Sequence, residues 1–304
     1  MTNILKNKLL LTVTGPTAVG KTSLAVEIAQ KLNTEIISCD SRQVYKEMRI
    51  GTAVPELEHL QAIPHHLIQF RSVTEPLNAN DFGVLAREKL NQLFENQNVV
   101  VMVGGSGLYI DSVLKGIDNI PSPDPIIREQ IQQQIDNGEL SKLQWELKSI
   151  DPTYYEQIDI QNPRRILRGL EVYRTSGTPI SQFLTNKSER NFKAATIVLE
   201  LDRTELYDKI NRRVDLMIEE GLIKEAEELF PFRNLSSLQT VGYQELFDYF
   251  NGEMSNKEAI QKIKNNSRQY ARKQETWFRR YDSAFRINAL QKKGIFKLVE
   301  DLCL

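Results

Sequence analysis

The sequence has little sulfur, no long apolar run and almost no net charge. Two cysteines, Cys39 and Cys303, stand among 304 residues, too few for a disulfide framework or a cysteine-based zinc site. The longest aliphatic run, Val99 to Val103, falls far short of the roughly 20 residues that span a bilayer, so no membrane partner is expected. With 39 basic and 40 acidic residues the net charge is −1, and the overall balance gives no sign of a polyanionic partner. There is no internal repeat and no low-complexity tract. Lys6 and Lys8 ahead of Leu9-Leu10-Leu11-Thr12-Val13 loosely imitate a signal peptide. The apolar stretch is short, however, and a glycine loop stands where a cleavage site would be. A first β-strand and a cytoplasmic location are the expectation.

What is present is the composition of a soluble globular protein, 40% hydrophobic and 26% charged. At about 150 residues per domain, the length allows one large domain or two ordinary ones. Leu9 to Val13, Glu35 to Cys39, Val99 to Val103 and Ala195 to Leu201 read as strands. Thr22 to Leu32 and Asp81 to Phe94 carry apolar residues at helical spacing. Alternation of this kind predicts an α/β fold, a parallel sheet flanked by helices. Near Gly116 the texture changes: the segment from Ile117 through Pro125 holds three prolines, and a polar, strand-free stretch follows. The expected organisation is an α/β core, residues 1–114 and 192–304, interrupted by an all-helical insertion at 115–191. Further helices are expected over Thr204 to Phe230, Gly242 to Phe250 and Glu258 to Tyr281.

Gly15-Pro16-Thr17-Ala18-Val19-Gly20-Lys21-Thr22 fits the phosphate loop of ATP- and other nucleotide-binding proteins. Glycines let backbone N–H groups turn inward on phosphate oxygens, and the following helix offers its free N–H groups and positive dipole end. Lys21 adds a point charge, and the Thr22 hydroxyl can hold Mg²⁺. The motif predicts a bound di- or triphosphate without naming the reaction. Asp40 follows the second strand, at the sheet edge that faces ligand in open parallel sheets. There it could act as a general base, hold Mg²⁺, or cap the next turn. Gly104-Gly105-Ser106-Gly107 closes the Val99–Val103 strand. It supplies a tight turn and a hydroxyl but no acidic residue for nucleotide hydrolysis. His65-His66 has no evident third metal ligand, and Cys39 reads as a small buried strand residue.

The charge is local. From Lys262 to Arg280 there are seven basic residues and one acid, the footprint of a polyanion site or a solvated helix face. Arg164, Arg165, Arg168 and Arg174 in the insertion raise the same alternatives. Three classes fit these features: a kinase using ATP and Mg²⁺, a transferase with a diphosphate leaving group, and a phosphate-loop switch protein. The last lacks a recognisable guanine-reading motif.

The loop Gly15 to Thr22, Asp40-Ser41-Arg42-Gln43-Val44-Tyr45, Gly51-Thr52-Ala53 and Pro64-His65-His66-Leu67 together resemble the tRNA dimethylallyltransferase family. The resemblance continues through Val103-Gly104-Gly105-Ser106-Gly107-Leu108-Tyr109, Asn162-Pro163-Arg164-Arg165, Val241-Gly242-Tyr243 and Arg272 to Arg279. It spans nearly the whole chain in order. Ser106 stands where the family often has Thr, and Arg272-Lys273 where it often has Lys-Arg. The zinc finger of some eukaryotic members is absent.

This resemblance implies transfer of a dimethylallyl group from its diphosphate to the N6 amine of the tRNA adenine 3′-adjacent to the anticodon (position 37). The loop residues Gly15, Pro16, Thr17, Ala18, Val19, Gly20, Lys21 and Thr22 would then hold a diphosphate leaving group. Lys21, Arg213, and Thr22 with Mg²⁺ would stabilise its charge, Asp40 would take the amine proton, and Ser106 would bond near the leaving group or the base. The resemblance implies tRNA contacts at Asp40, Ser41, Arg42, Gln43, Ser106 and Arg128, and at Arg164, Arg165, Ile166, Leu167 and Arg168. It implies others at Thr240, Val241, Gly242, Tyr243 and Gln244, and at Arg272, Lys273, Gln274, Glu275, Thr276, Trp277, Phe278 and Arg279. The insertion would grip the anticodon stem-loop, and a monomer is expected. A phosphate-loop kinase, or an adenine-nucleotide isopentenyltransferase acting on a free nucleotide, is the alternative.

Overall fold

Strand β1 (Leu9–Thr14) is buried at every residue, and β4 (Val99–Val103) at all but its first. β4 is apolar throughout and β1 is broken only by Thr12 and Thr14, both buried, as befits central strands of a sheet covered on two faces. The computed structural model describes residues 8–116, 118, 120–184 and 190–303. With β2 (Ile36–Ser38), β3 (His65–His66), β5 (Lys193–Glu200) and β6 (Phe285–Asn288), the strands form one sheet of order β3-β2-β4-β1-β5-β6. Every pairing is parallel. The carboxyl ends of β2, β4 and β1 therefore lie side by side on one edge, where the loops carrying Asp40, Ser106 and Lys21 emerge. The two outer strands were not expected from sequence. β3 has two residues, and β6 is mostly exposed, so neither carries an apolar pattern.

The chain divides into two compact units, Met1–Leu114 with Arg190–Leu304, and Lys115–Glu189. In the first, α1 (Lys21–Leu32) lays Leu24, Ala25, Ile28 and Ala29 on the sheet. It ends at Asn33, whose left-handed backbone returns its N–H to the Ala29 and Gln30 carbonyls. The short α2 (Leu57–Ala62), α3 (Ala79–Asn96) and α4 (Gly107–Leu114) follow.

The second unit holds α5 (Pro125–Asp136), α6 (Leu140–Ile150), α7 (Pro152–Gln157), α8 (Pro163–Ser176) and α9 (Ile180–Phe183). Three of these start with Asp or Asn as cap and Pro in the first turn, at Asp124, Asp151 and Asn162, where proline's missing N–H costs nothing. Their core gathers Ile131, Leu143, Leu147, Leu170 and Ile180 with Ile166 and Leu167. Ile166 and Leu167 are buried, so the expectation that they touch RNA is corrected: on α8 the helical period turns them inward.

Beyond the insertion come α10 (Arg203–Glu219), α11 (Leu222–Leu229), α12 (Tyr243–Phe250), α13 (Asn256–Phe278) and α14 (Lys292–Cys303). The single helix expected over Thr204 to Phe230 is two, broken at Gly221 with φ of 105°. Among the described residues no helix is long and apolar enough to cross a membrane.

Candidate active site

The turn between β1 and α1 is held by glycines at two specific points. Gly15 has φ of 145°, and a Cβ there would lie 2.5 Å from the Leu199 carbonyl oxygen. Gly20 caps α1 at φ of 101°. Gly15, Pro16 and Val19 are buried and shape the loop, while Thr17, Ala18, Gly20, Lys21 and Thr22 line a cavity of about 470 Å³. The Lys21 ammonium folds back to donate to the Pro16 carbonyl at 2.7 Å. Burial, then the nearby Arg213 guanidinium, lower its pKa to about 7, with Asp40 pulling the other way. Arg213, on α10, is shifted down by the same desolvation and lines the same cavity.

The lysine shift has a measurable consequence. Between pH 7 and its ordinary value of 10.5 the unfolded chain keeps a proton that the folded chain releases, so the cost of burying Lys21 eases as pH rises through that window. An anion beside the ammonium reverses the shift. Binding of inorganic diphosphate at pH 8 is expected to draw in up to about 0.9 proton at Lys21, and little at pH 6. Calorimetry in buffers of different ionisation enthalpy reads this uptake, and Lys21→Met should remove it. An uptake equal in the variant would put the proton elsewhere.

Asp40 serves two ends. Its Oδ1 accepts the N–H groups of Arg42 at 2.9 Å and Gln43 at 3.4 Å, the turn-capping role. The side chain also lines the cavity and opposes the charges of Lys21 and Arg213. Arg42 donates to the Ser236 and Ser237 carbonyls at 3.1 and 2.8 Å. Gln43 donates to those of Thr52 and Ala53 at 3.0 and 2.9 Å. Gln43 therefore holds a cavity wall in place, and Arg42 ties its turn to the segment ahead of α12. Ser106 lies beneath this turn, buried, accepting the Ser41 N–H at 2.8 Å and donating to the Ser41 hydroxyl at 3.1 Å. These bonds tie Ser106 to Ser41, the residue next to Asp40.

Two groups were missed by sequence. Tyr270, on α13, lines the cavity. Desolvation, and next the Asp40 charge, push its phenol up, partly offset by Arg42 and by a hydrogen bond with Ser106. Glu225, on α11, accepts the N–H groups of Arg49, Ile50 and Gly51 at 2.9, 2.7 and 2.9 Å and the Tyr243 hydroxyl at 2.7 Å. Nothing in an amphipathic helix marks such a carboxylate. The cavity also receives His65, whose ring Nδ1 lies 2.8 Å from the Ile63 carbonyl. His66 instead meets Glu35 at 2.6 Å. No cluster of three metal-ligating side chains occurs among the described residues. Cys39, one residue past the end of β2, is fully buried and its thiol is pushed up by desolvation, as an inert packing residue should be.

Residues 43–281 match the family model described as IPP transferase. The chain belongs to the IPP transferase family. A Flavobacterium psychrophilum protein named tRNA dimethylallyltransferase is 49% identical over 281 residues, 90% of this chain and 92% of its own length. A solved tRNA isopentenylpyrophosphate transferase of Bacillus halodurans is 36% identical with a TM-score of 0.72, covering 98% of this chain and 96% of that one. A eukaryotic dimethylallyltransferase acting on tRNA, at 23% identity, is similar in fold, with a TM-score of 0.77 over 93% of this chain and 74% of that one.

The basic stripe on α13 divides in two. Lys262 pairs with Asp248 at 3.0 Å and Lys264 with Asp215 at 2.5 Å, and Arg268 donates to Asn211 at 2.7 Å. Arg272, Lys273 and Arg279 are exposed with no ion pair among the described residues. The local excess is thus concentrated in the last two turns. Thr276 is exposed and Glu275 half-buried, and Trp277 covers Gly107 and stacks with Arg280 at 3.8 Å.

Phe278 and Tyr243 are buried to 1% and 0% exposure. The expected RNA contacts of these two side chains are therefore corrected to packing roles. Tyr243 stands over Gly51, where a Cβ would meet its ring at 2.6 Å. Thr240, Val241 and Gly242 line the cavity, and Gln244 is exposed. In the second unit Arg164 and Arg165 are exposed. Arg128 and Arg168 each reach the fully buried Glu171 at 2.8 Å. Arg174 is committed to Glu146 at 2.6 Å.

Proposed function

We propose that the protein transfers a dimethylallyl group from dimethylallyl diphosphate to the N6 amine of the tRNA adenine that follows the anticodon, as a cytoplasmic monomer. The observation that carries this reading is one cavity lined by Lys21, Arg213, the N-terminus of α1 and the Asp40 carboxylate. The first three suit a diphosphate, and the last suits an amine nucleophile. In the transfer the N6–C1 bond forms and the C1–O bond breaks. The electron pair leaves on the diphosphate, and the amine proton goes to Asp40. The names of the relatives support the same reaction, and the absence of an acidic residue at the end of β4 suits a loop that hydrolyses nothing.

The donor set fits Mg²⁺. Thr22, with its hydroxyl, and one carboxylate, Asp40, line the same cavity, and Mg²⁺ is held by few protein oxygens with phosphate and water completing its shell. Held there, the ion would supply positive charge for the departing diphosphate. The adenine leaves the loop stack to reach the cavity, as base-modifying enzymes require. Exposed Arg272, Lys273 and Arg279, with Arg164 and Arg165 on the insertion, supply phosphate affinity. Arg272→Ala is expected to weaken tRNA binding and lower the slope of log affinity against log salt by about 1. An unchanged slope would make Arg272 a solvated charge.

Label transfer tests the reaction. The protein, Mg²⁺ and labelled dimethylallyl diphosphate are mixed with three acceptors: unmodified tRNA bearing the adenine, the same tRNA with that base changed, and AMP. Label on the first alone is expected. Label on AMP would assign a free-nucleotide substrate, and label on none would overturn prenyl transfer.

A further inference from the structure

Gln274 sits in the α13 segment whose neighbours Arg272 and Lys273 face solvent, yet it points the other way and is 6% exposed. Its Oε1 accepts the Thr17 N–H at 2.8 Å, and its Nε2 donates to the Gly105 carbonyl at 2.9 Å. The amide is a crossbar between the phosphate loop after β1 and the glycine turn after β4. It also lines the cavity.

Its place along the loop matters. A Cβ built on Gly105 would lie 2.3 Å from the Gln274 Nε2 and 3.7 Å from the Lys21 Nζ. The amide and the ammonium thus crowd the same point. In a phosphate loop the lysine reaches the outer phosphates, so the crossbar stands where a chain longer than a diphosphate would continue. The Thr17 N–H at that end is already bonded to protein. A third phosphate could take it only by displacing Oε1. That oxygen, an acceptor without a proton to give, would then face phosphate oxygens unpaired.

We propose that Gln274 fixes the length of polyphosphate the loop accepts, admitting a diphosphate and rejecting a triphosphate. This rests on the reading of the loop as a diphosphate site and assigns Gln274 a specificity role on that side, separate from RNA contact. It also gives a physical reason for a phosphate loop in a nucleotide-binding pattern to disfavour ATP.

Calorimetric titration with inorganic diphosphate and inorganic triphosphate, in Mg²⁺, tests it on the wild type, Gln274→Met, Gln274→Ala and Gln274→Glu. The wild type is expected to prefer diphosphate by about ten-fold or more, the scale of one buried acceptor left unpaired. Gln274→Met fills the same volume without the amide and should bring the two affinities together, as should the smaller Gln274→Ala if the first folds poorly. Gln274→Glu keeps an acceptor for the Thr17 N–H and should keep the preference while weakening both anions. A tie that only supports the fold would weaken both ligands in proportion. An unchanged ratio in Met and Ala therefore overturns the proposal. Wild type that binds neither anion overturns the diphosphate reading together with it, whereas diphosphate binding with an unmoved ratio sinks this proposal alone.

Discussion

Asp40→Asn is expected to lower the single-turnover rate of prenyl transfer by about 10²–10⁴-fold, the usual contribution of a positioned general base, with tRNA affinity nearly unchanged. Asn is the informative replacement. Its side-chain oxygen can still accept the Arg42 and Gln43 N–H groups that Asp40 Oδ1 accepts, so the turn persists and the basicity alone is lost. The carboxylate also raises the pKa of Lys21 against burial and Arg213. Its removal should therefore move the Lys21 proton uptake to lower pH, a second readout in the same variant. Rapid-quench measurement with saturating tRNA and dimethylallyl diphosphate reads the first effect. A variant that turns over at near wild-type rate would end the case for Asp40 as the base.

Gly104→Ala is expected to cost the fold at least about 3 kcal/mol, at the upper end of overpacking effects. A Cβ there would lie 1.9 Å from the Cys39 carbonyl oxygen and 2.3 Å from its carbon. The obstacle is backbone, so no rotamer relieves it. Nor can the strands part locally, because the Cys39 N–H bonds the Val103 carbonyl at 2.7 Å and Ser38 pairs with Val103. At roughly 2–4 °C per kcal/mol for larger domains, the midpoint of thermal unfolding should fall by about 6–12 °C. What remains folded should be slow, because Cys39 carries Asp40 next to it. Gly294→Ala is the contrast. Gly294 lies exposed within α14 with no atom near its Cβ position, and alanine there is expected to stabilise by up to about 1 kcal/mol. A Gly104→Ala protein melting with the wild type would mean that β2 and β4 separate far more easily than their bonds suggest.

The misread positions share one cause. Arg164, Arg165 and Arg168 are exposed or half-buried on α8 while Ile166 and Leu167 between them are core. Along α13, Arg272, Lys273 and Arg279 are exposed while Gln274 and Phe278 are buried. A contiguous segment read as one binding strip is wound by a 3.6-residue period, so only part of it can meet a partner. The strands followed the opposite logic. β4 announced itself by an unbroken apolar run and β1 by one interrupted only by Thr12, while β3 and β6 are edge strands, partly or mostly exposed, with no apolar pattern to read.

The sequence by itself determined the α/β class, the glycine-bounded turn between β1 and α1, the carboxylate at the end of the second strand and the family. Each of these is written in neighbouring residues: an apolar run, a glycine spacing, a strand end. Only the tertiary structure decided what the side chains of Gln274, Glu225 and Ser106 do. Gln274 meets Thr17 across 257 positions, Glu225 meets Gly51 across 174, and Ser106 meets Ser41 across 65. A buried polar group must find its partner wherever the fold places one, and local sequence carries no record of a partner that distant.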